Sequence, residues 1–239
     1  MTDPRVARRE FLRLIATVAP GVLITACGWD GGPRLQPALG TLSRLNDWMG
    51  EHLFFSPTRL AREYPVAQRT GAQFPAYFIS PTMPVLADSS TWALEVGGLV
   101  RKPTRFTVPM LQALPSLTYT VKHHCVEGWT AIATWTGVPL STITALVEPL
   151  PGARFLRFDS FDRDYYNGWD LASAMHPQTI LAYAYNDQPL RPDHGAPLRL
   201  YSPLKLGYKL TKYLRSMQFT AERPGGYWED QGYPWFGGV

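Results

Sequence analysis

The chain has 239 residues, of which 45% are hydrophobic and 13% aromatic, so it is long enough to bury one full hydrophobic core. Its formal net charge is +4, and it carries neither a block of Lys and Arg nor a nucleic-acid-binding motif, which argues against nucleic acid as a partner. The 22 prolines and 20 glycines are spread along the chain, which indicates many turns between short elements and no disordered tract.

Residues 1–27 have the features of an export signal and are kept apart from the fold. An arginine-rich start is followed by an apolar run at residues 14–26, which is shorter than the about 20 residues of a membrane span. The run Arg-Arg-Glu-Phe-Leu at 8–12 resembles the twin-arginine signal, which exports proteins already folded around a cofactor. An ordinary secretory signal is the alternative interpretation of these residues.

The end of this segment predicts a lipid anchor. The run Ile-Thr-Ala-Cys at 24–27 resembles a lipobox, which would make Cys27 a lipidated N-terminus after cleavage. The alternative is chance, since small residues before a cysteine are common. Cys27 and Cys125 are the only two cysteines, and a disulfide between them is formally open, but the N-terminal setting of Cys27 favours another fate.

Residues 28–75 are predicted to form an N-terminal extension that packs on the core of a domain at residues 76–239. Within the extension, Leu42, Leu45 and Trp48 fall on one face of a helix, which we interpret as core packing. A loose linker is expected at residues 28–40, because glycines and prolines cluster there.

From residue 74 onward the pattern is that of short strands with short helices between them. Helices are expected at 109–113 and 171–175, and one is expected to end at Pro65. Alternation and β-branched or aromatic content predict strands at 91–99, 154–158, 180–185, 197–200 and 215–219. The expected class is therefore mixed α+β, a single domain with mostly antiparallel sheets.

A strand that ends in two histidines and a cysteine carries the chemistry of this chain. Tyr119 and Val121 are apolar strand residues, and His123, His124 and Cys125 follow directly. Basic neighbours are expected to hold the cysteine as thiolate, although an inert buried thiol is the simpler interpretation. The segment is expected to close on a Gly-Val-Pro turn before residue 140.

The cluster of His123, His124 and Cys125 also raises the alternative of a zinc site. Adjacent residues such as His123 and His124 cannot easily both reach one tetrahedral ion together with Cys125, and no second Cys/His cluster lies at finger spacing. We therefore disfavour zinc.

Two runs around Cys125 resemble the sulfite oxidase-like molybdopterin oxidoreductases: His-Cys-Val-Glu-Gly-Trp at 124–129 and Trp-Thr-Gly-Val-Pro-Leu at 135–140. Further matches follow in the family's order at 92–100, 176–183, 194–200, 205–209 and 227–229, so that the resemblance covers about residues 91–232. It implies the sulfite oxidase molybdopterin-binding fold, a Mo-molybdopterin cofactor and Cys125 as the ligand of molybdenum, which suits soft sulfur donors.

The phosphate of such a cofactor needs fixed donors and positive charge. Arg199 offers a planar fork, Lys205 and Lys209 offer point charges, and all three are expected to be exposed cations. The Gly207 position allows close approach of the main chain. The cofactor-binding residues that the resemblance and this chemistry imply are Ser80, His123, Cys125, Ser160, His194, Arg199, Lys205, Gly207, Tyr208 and Lys209.

The chain also departs from the family's pattern. Lys122 stands where arginine is common, and His124 where an acidic residue is common. The stretch Ile-Ser-Pro-Thr at 79–82 replaces an Arg-Asn-His run ahead of the first cofactor contact, so Ser80 is assigned there in its place.

A loop at residues 162–170 is expected to form the substrate side of the metal site. Tyrosine hydroxyls can donate to a metal-bound oxygen, and Arg163 can attract an anionic substrate. We assign catalytic roles to Cys125, Tyr166 and Asp170, with packing of the loop aromatics against the sheet as the alternative.

The sequence is therefore identified as that of an exported molybdopterin oxidoreductase that performs oxygen-atom transfer on a small sulfur- or nitrogen-oxo substrate of the sulfite or sulfoxide type. It resembles the catalytic domain alone, as in the periplasmic methionine-sulfoxide reductase group, so a haem protein in or near the membrane is the expected electron-transfer partner. The expected location is the periplasm or the outer face of the cytoplasmic membrane.

Two other classes of function stay open. One is a domain of the same fold that binds a ligand or a partner without turnover, although it would have little reason to keep Cys125. The other is a hydrolase with Cys125 as nucleophile and His123 as base, which would be active without metal and trapped by thiol reagents.

Replacing Arg8 and Arg9 by lysine tests the export route. If the twin-arginine route is used, the variant should accumulate as folded protein in the cytoplasm, because that route depends on the arginine pair. Fractionation followed by immunoblotting measures the distribution. An unchanged exported yield would instead indicate the general secretory route.

Overall fold

The computed structural model describes residues 32–86, 88 and 91–239. The predicted export signal and lipid anchor lie outside the described residues. The chain divides into two compact units, Met1–Leu45 and Asn46–Val239, and the second unit carries both β-sheets.

Four α-helices and ten β-strands give the described part of the chain its architecture. The helices are α1 (Gly32–Met49), α2 (Val108–Gln112), α3 (Leu140–Val147) and α4 (Leu171–Ala174). The strands are β1 (Leu94–Gly98), β2 (Thr104–Phe106), β3 (Leu117–His124), β4 (Thr130–Pro139), β5 (Phe155–Ser160), β6 (Tyr166–Asp170), β7 (Ile180–Tyr185), β8 (Gln188–Pro189), β9 (Arg199–Tyr201) and β10 (Leu214–Thr220).

The first sheet has five strands in the order β2-β1-β10-β5-β6. β1 and β10 pair in parallel, and the other neighbours are antiparallel. Along β5 the side chains alternate between buried and partly buried, so that Leu156 and Phe158 enter the core on one face. Such alternation is the pattern of a strand with one face on the core.

The second sheet is antiparallel and carries the cysteine motif. Its strands follow the order β3-β4-β7-β8, and β9 also pairs with β7. β3 and β4 form a hairpin of eight residue pairs, from Leu117↔Gly137 to His124↔Thr130. Trp135 of β4 is fully buried and stacks on Tyr201 of β9 with ring centroids 4.1 Å apart. Together these contacts make the second sheet a rigid support for the end of β3.

Two short helices begin at side-chain caps that the sequence supplies. The Thr107 side chain accepts a hydrogen bond from the Met110 N–H, and a proline lies in the first turn of α2. The Asp170 side chain accepts from the Ser173 N–H at 2.6 Å and starts α4. Capping of this kind satisfies N–H groups that the helix cannot pair internally.

The fold class predicted from the sequence is confirmed: the protein has mixed, mostly antiparallel sheets with short helices. Strands β5, β7, β9 and β10 and helices α2 and α4 lie within a few residues of their predicted positions. No helix in the described part of the chain is long and apolar enough to cross a membrane.

Four local predictions are wrong. Residues 32–40, expected to belong to a loose linker, are part of helix α1. Leu42, Leu45 and Trp48 are 61%, 49% and 50% exposed, so the apolar face of this helix is not core packing. No helix ends at Pro65. The expected Gly-Val-Pro turn is the last part of β4, where main-chain pairing with β7 keeps the chain extended.

Gly137 lies at a register shift between β4 and β7, and an added Cβ there would stand 2.2 Å from the Leu181 carbonyl oxygen. Gly137→Ala should therefore lower the free energy of unfolding by about 1–3 kcal/mol or more, because the sheet has to move to admit the methyl group. Urea denaturation measures the difference. Gly152→Ala is the matched control, since an added Cβ at Gly152 meets nothing within 4 Å. Equal stability of the two variants would contradict this account of β4.

Candidate functional site

A cavity of about 440 Å³ opens where β3 ends, and we call it the Cys125 cavity. It is enclosed by residues 74–79, by the turn after β3 and by residues from two stretches, 194–199 and 207–213, around β9. Six of the predicted cofactor contacts line it: His123, Cys125, His194, Arg199, Gly207 and Tyr208. The topology thus brings together most of the site that the motifs predict.

Cys125 occupies the first position of a tight turn between β3 and β4. Its N–H donates to the Trp129 carbonyl at 3.0 Å, and its carbonyl accepts from the Gly128 N–H at 3.1 Å. Gly128 has φ +89°, a left-handed conformation that glycine adopts without strain. The turn therefore fixes the main chain of Cys125 and places this residue on the cavity wall.

The thiol is not held as thiolate by positive neighbours, contrary to the prediction. Burial raises the pKa of Cys125, and the Glu127 carboxylate, whose Oε2 accepts a hydrogen bond from Sγ at 3.8 Å, adds to the rise. Burial lowers the pKa of His123 to about 3 and also lowers the pKa of His124, so both imidazoles are neutral at pH 7. A metal ion would reverse this, because a coordinating thiol loses its proton.

Arg199 is buried, not exposed as predicted. Its side chain lies over the Trp135 ring at 4.8 Å, Nη1 donates to the His194 carbonyl at 3.0 Å, and Nη2 donates to the Leu210 carbonyl at 3.3 Å. Burial lowers the pKa of the guanidinium to about 10, which leaves it charged at neutral pH. Nε has no partner within the described part of the chain. Arg199 therefore ties two walls of the cavity together and keeps one donor free.

Lys205 and Lys209 do not line the Cys125 cavity, which corrects their predicted role as phosphate contacts. Both are buried. Lys209 Nζ donates to the Gly168 carbonyl at 2.9 Å and forms an ion pair with Glu229. Lys205 Nζ donates to the Phe236 carbonyl at 2.8 Å and lies 3.7 Å from the Asp170 carboxylate. Their ammonium groups support the fold behind the cavity.

Lys212 lines the cavity and was missed by the sequence reasoning. Its Nζ donates to the main-chain carbonyls of Tyr77 and Asp193. Burial, and then the positive charge of Arg199, lower its pKa to about 7. Lys212 lies three residues after Lys209, so the sequence offers it as a third candidate for the phosphate contact. The sequence of this run does not show which of the three lysines faces the cavity.

Tyr166 and Asp170, predicted as catalytic, are also outside the cavity lining. The Tyr166 hydroxyl donates to the Asp230 carboxylate, and the guanidinium of Arg157 covers the Tyr166 ring at 3.9 Å. Asp170 caps α4. The neighbouring Tyr165 is the loop aromatic that does reach the cavity, and its hydroxyl donates to the Tyr208 carbonyl. The strand alternation of β6 turns the predicted pair away.

Ser80 and Ser160 do not line the cavity, but each donates a hydrogen bond to a residue that does. The Ser80 hydroxyl donates to Asp162 Oδ1 at 2.6 Å, and Asp162 itself lines the cavity and accepts the N–H groups of Ile79 and Ser80. The Ser160 hydroxyl donates to the Lys212 carbonyl at 2.8 Å. Both serines therefore position cavity residues and have no direct contact with the space.

The turn at Gly207 packs closely against His123. An added Cβ at Gly207 would stand 2.9 Å from His123 Nε2, so only glycine lets the main chain approach the imidazole to this extent. The turn is fixed from behind, since Asn167 Nδ2 donates to the Tyr208 carbonyl at 2.7 Å and Trp169 Nε1 to the Lys209 carbonyl at 3.0 Å.

The cavity fits a cofactor that carries a phosphate. Three buried polar atoms of its lining residues have no partner in the described residues: His123 Nδ1, Arg199 Nε and the Tyr213 hydroxyl. The lining also holds two cations, Arg199 and Lys212. The charge of Arg199 lowers the pKa of Lys212, and both charges lower the pKa of His123. Because buried donors without acceptors and like charges are costly, an anion with several acceptor oxygens would relieve both.

The chain belongs to the family described as oxidoreductase molybdopterin binding domain, whose profile matches residues 81–228. It is an oxidoreductase, and its cofactor is molybdopterin. This confirms the sequence-based identification of a sulfite oxidase-like enzyme and of its cofactor.

The relatives are named for one activity. A protein of Azospira oryzae with the provisional name protein-methionine-sulfoxide reductase subunit YedZ1 is 41% identical over 97% of this chain and 88% of its own. The protein-methionine-sulfoxide reductase catalytic subunits MsrP of Campylobacter jejuni and Xanthomonas axonopodis are 28% and 32% identical, each over 59% of this chain. The chain spans about half the length of these two MsrP proteins, 53% and 48%.

A solved structure supports the fold. The sulfane dehydrogenase SoxCD from Paracoccus pantotrophus superposes with a TM-score of 0.56 over 72% of this chain and 50% of its own, at 23% identity.

Lys212→Met tests whether this lysine is a strained cation in the cofactor-free protein. The folded pKa of about 7 lies below the usual value of 10.5, so the unfolded chain binds more protons between these values and the free energy of unfolding should rise with pH from about 7 to 9.5. In the variant, the slope of the free energy of unfolding against pH should be smaller by up to about 1.4 kcal/mol per pH unit. Urea denaturation across this range measures it. Lys205, whose pKa is also lowered to about 7, contributes equally to both proteins. Identical slopes would contradict the assignment.

Proposed function

We propose that this protein is an exported molybdenum enzyme that reduces sulfoxides by oxygen-atom transfer, with electrons supplied by an external haem protein. The observation that carries the proposal is the position of Cys125 on the wall of the same cavity that holds buried cations and unpartnered donors. One wall thus offers a soft ligand for a metal, and another offers an anion site for the phosphate of its cofactor.

Each wall of the Cys125 cavity has a part in binding the cofactor. Cys125 would ligate molybdenum through its sulfur. Arg199 Nε and His123 Nδ1 would reach polar atoms of the pterin, and Lys212 with the Tyr213 hydroxyl would meet the phosphate charge. When bound, molybdopterin supplies a metal that takes an oxygen atom from the substrate and is returned to its starting state by electrons from outside.

The aromatic rim of the cavity suits the alkyl groups of a sulfoxide. Tyr77 lies beside Trp129 with ring centroids 6.3 Å apart, and Trp228 lies beside Tyr233 at 5.2 Å. All four line the cavity. Sulfur next to aromatic rings is a favourable contact, so these rings would receive the alkyl groups and the sulfur of a substrate such as methionine sulfoxide. The names of the relatives support the same substrate class.

A hydrolase with Cys125 as nucleophile is a weaker proposal. It would need a thiolate and a histidine base within hydrogen-bond reach. In this protein the thiol donates to Glu127, its pKa is raised, and no hydrogen bond joins it to His123 within the described residues. A binding domain without turnover would not need the thiol on the cavity wall.

The location and partner complete the proposal. The features of residues 1–27 support export to the periplasm or the outer membrane face by the twin-arginine route, with a lipid anchor at Cys27. An enzyme that turns over sulfoxide needs two electrons for each oxygen atom removed. The chain carries no Cys-x-x-Cys-His haem attachment motif, so we assign the electrons to a separate haem protein.

Cys125→Ser tests the metal site directly. Protein expressed in a host that makes molybdopterin should contain about one molybdenum per chain, measured by elemental analysis, and should reduce methionine sulfoxide with reduced methyl viologen. A hydroxyl is a harder and weaker donor than a thiolate, so the variant should lose activity by at least about a hundredfold while part of the pterin is retained.

Glu127→Gln is the control for this variant. It changes the hydrogen-bond partner of the thiol and leaves the sulfur in place, so it should keep its molybdenum. Full turnover by Cys125→Ser, or zinc in place of molybdenum in the wild-type protein, would contradict the proposal.

A further inference from the structure

A second cavity, of about 480 Å³, lies on the other face of the β3 end, and we call it the Arg62 cavity. All its lining residues belong to the compact unit that begins at Asn46. A cavity of this volume matches the usual range of small-molecule and cofactor sites. None of the roles described above uses it.

Strand alternation connects the two cavities. Along β3, His123 faces the Cys125 cavity, while Lys122 and His124 line the Arg62 cavity. The pattern follows from the period of two residues in a strand. The next residue along the chain is Cys125, so one peptide bond separates the lining of the second cavity from the proposed metal ligand.

The Arg62 cavity is lined by more basic than acidic side chains. Arg59, Arg62 and Lys122 line it, and none of the three forms an ion pair within the described residues. Among the described lining residues the one side-chain carboxylate is that of Asp47, which accepts the main-chain N–H groups of Trp235 and Phe236 and lies 3.8 Å from the Arg223 guanidinium. An anion placed here would therefore meet three cations that have no ion-pair partner among the described residues.

Two of these cations are held against one aromatic ring. The Arg62 guanidinium lies 5.1 Å and the Lys122 ammonium 5.3 Å from the centre of the Tyr64 ring. Contacts of this kind favour this orientation of both side chains. The charge is thus concentrated at a defined point of the rim.

The remaining wall is apolar and partly open to solvent. Phe54 and Leu60 are 70% and 59% exposed at the cavity, and Phe55 packs edge-on against Phe236 with ring centroids 5.7 Å apart. Exposed apolar side chains beside a cluster of cations indicate a ligand that is itself part apolar and part anionic.

From these observations we infer that the Arg62 cavity is where electrons enter, by docking the exposed edge of the haem of the electron-donating protein, a planar aromatic group that bears carboxylates. The inference rests on the proposed function, which requires an external electron source. The haem ring would pack on the Phe54 and Leu60 side, and its carboxylates would meet Arg62 and Lys122. Electrons would then reach the metal through the short main-chain path from His124 to Cys125.

The overall reaction balances with such a donor, whose haem iron supplies one electron in each transfer. A sulfoxide takes up two electrons and two protons and gives a sulfide and one water. A reduced flavin supplies both electrons in two single transfers and is oxidised, and a reduced viologen supplies one, so two viologens are consumed for each sulfoxide.

Flavin mononucleotide and riboflavin form a matched pair of probes for a planar aromatic group with an anionic substituent, because they share the isoalloxazine ring and differ in the phosphate. Flavin fluorescence anisotropy with the holoenzyme should show flavin mononucleotide binding about tenfold more tightly than riboflavin. Arg62→Gln and Lys122→Gln should each remove most of that difference. Arg215→Gln, an exposed arginine of β10 outside both cavities, removes the same charge and should leave the difference intact.

Turnover provides the second readout. With photoreduced flavin mononucleotide as donor, Arg62→Gln should raise the KM for the donor by about tenfold, whereas the KM for the cationic methyl viologen should not rise, because the variant removes a charge that repels this donor. Molybdenum content and melting temperature verify that the variant is intact.

Two results would overturn the inference: equal flavin mononucleotide affinity in wild type and both variants, or displacement of the flavin by excess methionine sulfoxide, which would place it in the Cys125 cavity. Failure of the proposed function is separate. It would appear as a wild-type holoenzyme that does not reduce sulfoxide with any donor, while the binding comparison would still decide the role of the Arg62 cavity.

Discussion

The buried guanidinium of Arg199 is the interaction on which the Cys125 cavity depends. It stacks on Trp135 in the second sheet and donates to the carbonyls of His194 and Leu210, so one side chain joins the sheet to both segments that wall the cavity. A buried cation is stable only when its surroundings compensate it. Carbonyl oxygens and an aromatic face do so in part here, and the remaining donor, Nε, has no acceptor among the described residues. The group that joins the walls of the cavity therefore also carries an unpaired donor.

The sequence predicted those parts of the site that depend on the order of residues along one strand. Cys125 follows β3, and alternation along β3 places His123 in the cavity, so both could be predicted from the motif alone. Most strands of the second half were also predictable, since their β-branched and aromatic residues alternate as a half-buried surface requires. Helix α3 was not, because its Thr, Ile and Val residues have weak helix propensity and it is formed by packing.

The lysines show where such reasoning ends. Lys205, Lys209 and Lys212 lie within eight residues, and any of them is chemically suited to a phosphate. Which one faces the cavity depends on the path of the chain through a short 3₁₀ turn and on Glu229 and Phe236, which come from the distant C-terminal segment. Those contacts join residues far apart in sequence, so they cannot be predicted from the residues next to each lysine. Tyr166 and Asp170 differ from the lysines in this respect, because the local alternation of β6 turns them away from the cavity, while Tyr165, which precedes β6, lines it.

The turn at Cys125 has a consequence for the speed of electron transfer. Only one rotatable side-chain bond separates the sulfur from a main chain that is fixed by two hydrogen bonds and by a hairpin of eight residue pairs. A metal bound to this sulfur would change its charge while its protein ligand stays almost still. Each transfer would then require little rearrangement of the surrounding atoms, and the barrier that such rearrangement sets would stay low without any moving part in the protein.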